Sequence, residues 1–265
     1  MTVDSRTLMP EVISLAHEAG KLILEVYQSS YSVQLKDDRT PLTEADLRSE
    51  QLLLAGLGRI ARDIPVLSEE SGRVPWAERR TWSRLWVVDP LDGTREFIGR
   101  NGEFTVNVAL VQGGRVELGV VHAPALARSY YACAGAGAFR SDRGEPGRPI
   151  RVAKRTGPVR VVGSRSHRGD SLDAFLARVG PHEFVEVGSS LKLCLVAEGA
   201  ADVYPRLGTT CEWDTAAGQC VLEQAGGQVL TLDGRPLVYN AREQVENPHF
   251  VGCAEAGSEW LALLR

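Results

Sequence analysis

Trp86-Val87-Val88-Asp89-Pro90-Leu91-Asp92-Gly93-Thr94 is the stretch on which the reading of this chain turns. An apolar run suited to a buried strand passes directly into two carboxylates three residues apart. Burial alone disfavours charge at such a place. Pro90 keeps Asp89 extended and suits the first position of a helix, so both acids and the Leu91 carbonyl can point to one side of the turn. Gly93 and Thr94 then offer backbone amides at a helix N-terminus, where an anion such as phosphate is favoured. Cation ligands and an anion cradle would thus lie side by side. A plainer reading stands beside this one: Asp89 caps a helix and Asp92 opens a turn.

Moving outward, a second apolar run over residues 64–67 ends in Ser68-Glu69-Glu70-Ser71-Gly72. Adjacent acids on an extended backbone face opposite ways, so only one of the pair would serve a site there. Trp213-Asp214-Thr215-Ala216-Ala217-Gly218 places a further acid at a helix start. Taken singly, these are a solvated loop and a helix cap. Taken together, they suit hard divalent cations such as Mg²⁺, which take oxygen ligands, and four acids with one carbonyl would serve two or three ions. Metals ~3.5–4 Å apart can polarise a phosphoryl group and stabilise its leaving oxygen.

The rest of the chain supplies scaffold. Apolar residues at Val12, Leu15, Ala19, Leu22, Ile23 and Val26 predict a helix over 7–28, and residues 33–36 read as a short strand. Thr43 and Asp46 have capping-box-like spacing ahead of a second amphipathic helix that runs to about Arg62. Residues 104–111 and 115–122, joined by Gly113-Gly114, form a hairpin pattern, and strands follow over 130–132 and 138–140. This half is α+β. Residues 141–158 shift to Arg, Gly and Pro and mark a junction near 148, which divides the chain into 1–148 and 149–265. Beyond it, a strand over 159–162, a helix over 172–179, a strand over 184–187 and a helix over 191–198 alternate as α/β units do. A helix over 213–225, strands near 228–232 and 249–253, and a short terminal helix complete the pattern.

Composition narrows the function. With 265 residues, 43% of them hydrophobic, the chain can bury one large core or two coupled ones without covalent staples. A formal net charge of -4 leaves no diffuse basic surface for nucleic acid polymers or anionic membranes, so any phosphate recognition must be local. Cys133, Cys194, Cys211, Cys220 and Cys253 form no C-x-x-C pair and no zinc spacing, and read as reduced core thiols. His17, His122, His182 and His249 show no metal-ligand clustering. No uncharged stretch approaches the ~18 residues of a membrane span, and the start of the chain has no apolar leader region. A cytoplasmic protein acting on a small molecule is expected.

At these residues the chain resembles the magnesium-dependent phosphatases of the inositol monophosphatase superfamily. The E-E, D-P-L-D-G-T and W-D-T-A-A-G elements stand in that family's order and at about its spacing, and the likeness runs from Leu15 to about Gly252. The resemblance implies a layered αβαβα sugar-phosphatase fold and two to three Mg²⁺ ions per site. It further implies that Glu69, Asp89, the Leu91 carbonyl, Asp92 and Asp214 are metal ligands. Thr94 and Asp46 would relay a proton from the attacking water, with Glu69 beside it, and Gly93 and Thr94 would cradle the scissile phosphate. Nothing in the sequence by itself pairs Asp46 with Thr94.

Within the superfamily, the bisphosphate nucleotidases are the better match. Glu96 and Phe97 complete D-P-L-D-G-T-R-E-F-I, Gly163-Ser164-Arg165-Ser166-His167 matches their S-R-S-H element, and Gly188 to Leu207 matches their G-S-S-x-K…A-D-V-Y-x-R-L stretch. By that likeness Ser189, Lys192 and Arg206 hold a nucleotide 5'-phosphate and His167 lies near the adenine or ribose. The implied reaction is hydrolysis of the 3'-phosphate of adenosine 3',5'-bisphosphate to AMP, with 3'-phosphoadenylyl sulfate as a further substrate. The alternatives are an inositol or sugar monophosphatase with the same metals, and a metal-dependent binding module without turnover. The oligomeric state stays open, a homodimer included. Peripheral attachment at the inner membrane, which the resemblance allows, finds no amphipathic basic helix here.

Overall fold

Three separate cores set the architecture, and strand alternation builds them. A computed structural model of the protein describes residues 4–30, 32–35, 41–71, 74–165, 170–255 and 257–264. Its first part runs α1 (Ser5–Gln28), β1 (Val33–Leu35), β2 (Pro41–Thr43), α2 (Glu44–Ile60), β3 (Val66–Ser68), α3 (Trp76–Arg79), β4 (Arg84–Asp92) and α4 (Thr94–Ile98). The meander β5 (Thr105–Gln112), β6 (Arg115–Ala123), β7 (Arg128–Cys133), β8 (Gly137–Asp142) and β9 (Arg148–Ile150) follows. The second part runs β10 (Val159–Ser164), α5 (Asp170–Val179), β11 (His182–Val187), α6 (Leu191–Ala197), β12 (Val203–Arg206), α7 (Glu212–Gln224), β13 (Gln228–Thr231), β14 (Phe250–Cys253) and α8 (Ser258–Leu264).

Strands β3 to β9 form a seven-stranded sheet in chain order, with β3 parallel to β4 and the rest antiparallel. A five-stranded sheet has the order β11-β10-β12-β14-β13, parallel over its first three strands. Successive side chains alternate faces. Trp86, Val88, Val106, Val108 and Leu110 therefore face α1 and α2, where they meet Val12, Ala19, Ile23, Leu53 and Leu57. Their neighbours Leu85, Val87, Ala109 and Val111 face the other way, onto α6 and α7, which also cover Val162 and Phe250 of the second sheet. The far face of that sheet, Val161, Val203 and Val251, packs on Phe175 of α5 and Trp260 of α8. The result is the layered αβαβα arrangement, with α6 and α7 shared between the sheets.

The Gly113-Gly114 hairpin forms as expected, both glycines taking positive φ (57° and 78°) as its tight turn requires. One expectation changes. Pro90 does not open a helix: it lies within β4, and α4 begins at Thr94 with Gly93 in the left-handed region as its N-cap. The reason is a register shift. Asp89 pairs with Asn107 and Asp92 with Thr105, so Pro90 falls at a bulge where the ladder requires no amide from it. The region around 148 is also more structured than its Arg-Gly-Pro composition suggests, since Arg148–Ile150 pairs with β8 as the last strand of the first sheet. All five cysteines are free, and four are buried.

Candidate active site

Two parallel strands bring the first acids together. β3 runs beside β4 with Ser68 opposite Val88, and the Glu69 amide continues the ladder by donating to the Val88 carbonyl at 3.2 Å. Glu69 therefore emerges next to Asp89. Asp214 arrives from the other side of the cleft, in the first turn of α7, where its carboxylate accepts from the Cys211 amide at 2.9 Å. Ligand oxygens of Glu69, Asp89 and Asp214 lie within 4.8 Å of one another. Asp92 stands apart from that trio and accepts a 2.7 Å hydrogen bond from the Ser190 hydroxyl. The same hydroxyl lies 2.7 Å from the Asp214 carbonyl and accepts from Asn107 Nδ2 at 2.8 Å, so it ties together the two sides of the acid cluster.

Electrostatically this cluster is unfinished. Burial pushes the Asp89 carboxyl well above the carboxylate range, and the charges of Glu69, Asp92 and Asp214 push it further. Asp214 is raised well above its ordinary value by burial and then by Asp92 and Glu69. Asp92 is raised by burial although Lys192 opposes the shift. Asp89 Oδ1 accepts from the Leu91 amide at 3.1 Å, whereas Oδ2 is buried and has no hydrogen-bond partner among the described residues. An orphaned carboxylate oxygen among converging acids is the donor set of a hard divalent cation, and the residues present fit one.

Asp46 and Thr94, 48 residues apart, do meet: Thr94 Oγ1 donates to Asp46 Oδ1 at 3.3 Å and lies 3.5 Å from the Leu91 carbonyl. Asp46 is positioned by its own helix end. Its Oδ2 accepts from the Thr43 amide (2.8 Å) and hydroxyl (2.6 Å), which leaves Oδ1 directed at Thr94. Gly93 is held at φ 90°, and a Cβ there would come within 3.2 Å of the Glu103 carbonyl and 3.3 Å of Ser189 Cβ. That glycine lets the turn after β4 approach the 188–190 segment closely.

A cavity of about 240 Å³ opens from these acids and is lined on its far side by Ser164, Ser189, Lys192, Tyr204 and Arg206. Lys192 is buried, bonds to the Ser189 carbonyl, and sits 5.6 Å above the Tyr204 ring. Burial lowers its ammonium to about 8, with Asp92 holding it up. Ser189 is a non-glycine residue at φ 48°, and its hydroxyl is buried without a partner among the described residues. Arg206 donates through Nη2 to the Thr209 carbonyl at 2.7 Å, while its Nε is buried and has no partner among the described residues. A buried ammonium, an unsatisfied guanidinium nitrogen and an unsatisfied hydroxyl around one cavity are suited to an anion. His167 lies outside the described residues.

Sequence reasoning missed Ser190, Asn107, Tyr204 and the α2 residues Ser49 and Glu50. Ser190 stands within the quoted G-S-S-x-K stretch, but its tie to Asp92 spans 98 residues and carries no local signal. Among the described residues, no helix is long and apolar enough to cross a membrane.

Comparison with known proteins agrees with this geometry. A model of the inositol monophosphatase family matches residues 4–261. The chain is 45% identical over 245 residues to the 3'(2'),5'-bisphosphate nucleotidase CysQ of Salmonella typhimurium, covering 92% of this chain and 98% of that protein. Among solved structures, it superposes on CysQ from Bacteroides thetaiotaomicron with a TM-score of 0.82 at 39% identity, covering 92% of this chain and 96% of that one. It superposes on an IMPase from Thermotoga maritima with a TM-score of 0.79 at 27% identity, covering 96% and 94% of the two chains.

Proposed function

This chain belongs to the inositol monophosphatase family, and on that premise we propose that it is a 3'(2'),5'-bisphosphate nucleotidase that removes the 3'-phosphate of adenosine 3',5'-bisphosphate, and acts likewise on 3'-phosphoadenylyl sulfate. The observation that carries the substrate choice is the second set of anion donors. Buried Lys192, Arg206 Nε and Ser189 Oγ face the same cavity as the acids, and a substrate with one phosphate would leave them unused.

In this reading Glu69, Asp89, the Leu91 carbonyl, Asp92 and Asp214 would hold two or three Mg²⁺ ions, which when bound would supply polarisation of the phosphoryl group, a more acidic water and stabilisation of the leaving oxygen. The chain's own groups do the rest. Gly93 and Thr94 form the turn against which the scissile phosphate lies. Thr94 Oγ1 accepts the proton of the attacking water as it passes its own to Asp46 Oδ1, because Oδ2 is held by Thr43. In-line attack then forms the new P–O bond and breaks the bond to the 3'-oxygen, which takes a proton from solvent water, giving AMP and inorganic phosphate. Ser189, Lys192 and Arg206 clamp the 5'-phosphate, and this binding orients the 3'-phosphate. His167 is assigned to the adenine or ribose. The proposed setting is the cytoplasm, where free cysteines such as these five stay reduced.

Phosphate release by the purified protein with Mg²⁺, comparing adenosine 3',5'-bisphosphate with inositol 1-phosphate and an EDTA control, tests this. A strong preference for the nucleotide that is lost with EDTA supports the proposal. Preference for inositol phosphate keeps the acid cluster but removes the assigned role of Ser189, Lys192 and Arg206.

A further inference from the structure

One face of α2 reaches three different segments of the acid cluster. Asp46, Ser49 and Glu50, spaced i, i+3 and i+4, share a helix face and are all buried. Asp46 meets Thr94, and the Ser49 hydroxyl donates to the Pro90 carbonyl at 2.7 Å. Glu50 reaches the third segment. Its Oε1 accepts from the Ser68 hydroxyl at 2.7 Å and from the Ser71 hydroxyl at 2.7 Å. Those two serines flank Glu69 and Glu70, so one carboxylate oxygen closes both ends of the four-residue turn that presents Glu69.

The choice of a carboxylate here requires an explanation. Glu50 is only 8% exposed and stands behind a turn that already carries two acids. A neutral apolar side chain would fill the space without adding charge to an acidic neighbourhood. What the carboxylate adds is a strong acceptor for two hydroxyls at once, since hydrogen bonds to an ionised acceptor are shorter and stronger than neutral ones. On the strand side, Glu69 is fixed by its amide bond to Val88; beyond the strand, the two Glu50 bonds hold both ends of the turn.

We infer that Glu50 is a positioning residue for the Glu69 carboxylate, acting through Ser68 and Ser71 to set the affinity of the acid cluster for divalent metal. The inference rests on the reading that Glu69 holds such an ion. Groups that orient metal ligands commonly control affinity as strongly as this, with losses of about 10–100-fold on removal.

The test is direct Mn²⁺ binding to the full chain, followed by the electron paramagnetic resonance signal of the free ion, alongside the Mg²⁺ concentration for half-maximal turnover. Glu50→Ala should weaken Mn²⁺ binding by about tenfold or more and raise the Mg²⁺ requirement in parallel. Glu50→Gln, which keeps an acceptor oxygen for both hydroxyls but a neutral one, should recover only part of the affinity lost in Glu50→Ala. A purely structural role would lower the melting temperature in EDTA without moving metal affinity in the folded protein. Unchanged Mn²⁺ affinity in Glu50→Ala, or equal losses in the Ala and Gln variants, overturns the inference. If Glu50→Ala does not fold, Ser71→Ala carries the test: it removes one of the two bonds and should weaken Mn²⁺ binding several-fold, about 3-fold or more, and an unchanged affinity overturns the inference. Glu69→Gln separates the two layers of argument. If it weakens Mn²⁺ binding while Glu50→Ala does not, only the role of Glu50 falls; if Glu69→Gln binds normally, the metal reading of Glu69 falls and takes this inference with it.

Discussion

Two clusters of charge in this molecule, one half-buried and one buried, answer the same electrostatic problem in opposite ways. In the outer strands of the first sheet, Asp142 accepts from Arg128 Nε (2.8 Å), Arg140 Nε (2.8 Å) and Arg140 Nη2 (2.9 Å). Glu198, at the end of α6, accepts from Arg140 Nη1 at 2.7 Å and the Tyr130 hydroxyl at 3.1 Å. Two acids and two guanidiniums complete one another, and the Arg140 hydrogen bond holds the Asp142 carboxyl below its ordinary range. In the cleft, burial and mutual repulsion push Asp89, Asp92 and Asp214 the other way. The closed cluster belongs to the fold. The open one fits a partner that the chain itself does not supply, and that separates a candidate site from a structural ion-pair network.

The largest effect should come from Asp89→Asn. Turnover should fall by at least about 10²–10³-fold, because a charge aimed at the reacting centre is removed. Stability should move the opposite way in EDTA. Asp89 has a raised folded-state value, so its contribution is complete at low pH and is lost as pH rises through that value; the amide does not titrate and escapes the loss. Melting curves should therefore show the variant above the unmodified chain in EDTA at neutral pH, and little or no Mg²⁺-dependent rise, where the unmodified chain rises with Mg²⁺. A fully active Asp89→Asn would end the comparison.

Lys192→Ala removes a buried cation that faces the open cluster's cavity. Binding of adenosine 3',5'-bisphosphate should weaken by about 10–100-fold, the range expected for a lost charge-assisted bond to phosphate. A nucleoside 3'-monophosphate should lose far less, and steady-state kinetics with both substrates measures the difference. Equal losses would mean that Lys192 serves the acids rather than a second phosphate.

Breaking the closed cluster should leave chemistry intact and lower stability. Arg140→Ala leaves Glu198 with only the Tyr130 hydroxyl among its described partners and removes two bonds from Asp142. A fully buried pair would cost about 3–5 kcal/mol, and the partial exposure of these groups reduces the expectation to about 1–2 kcal/mol. Denaturant unfolding reads the loss, and Mg²⁺ affinity should not move.

The parts of this molecule that were legible from sequence are those with local grammar. The Thr43-Asp46 capping box, the Gly113-Gly114 hairpin and the alternation that splits Trp86 and Val88 from Leu85 and Val87 all follow from neighbours a few residues apart. The three acid-bearing segments were visible because charge at the end of an apolar strand or at a helix start is conspicuous. Proline obscured the rest. Pro205 in β12 and Pro149 in β9 argue against strands, yet Pro205 pairs opposite Val251 of β14 and Pro149 opposite Phe139 of β8, the latter in an edge strand, where proline is tolerated. The ties from Asp46 to Thr94 and from Ser190 to Asp92 join segments with no periodicity in common, and only the fold brings them together.

The smallest effect concerns a third cluster, buried and neutral. Ser129 Oγ lies 2.8 Å from His17 Nε2 and 2.9 Å from His122 Nδ1, and the two rings are 4.5 Å apart. One hydroxyl proton can serve one ring while the other ring donates, so the arrangement is satisfied with both imidazoles uncharged. Burial, reinforced by His17, lowers His122 to about 3, and burial with Lys21 lowers His17. The sign then follows. Below the unfolded value of 6.5 the unfolded chain binds a proton that folded His122 refuses, so stability is complete above that pH and declines as pH falls toward 3. Between pH 6.5 and 5.5 His122 alone should remove about 1 kcal/mol. Urea unfolding at the two pH values, with His122→Asn beside the unmodified chain, isolates this share, because the amide keeps a polar partner for Ser129 but does not titrate. The variant should be less stable at pH 7 and should lose less on acidification. Parallel slopes would show that the imidazole pair is not the titrating element.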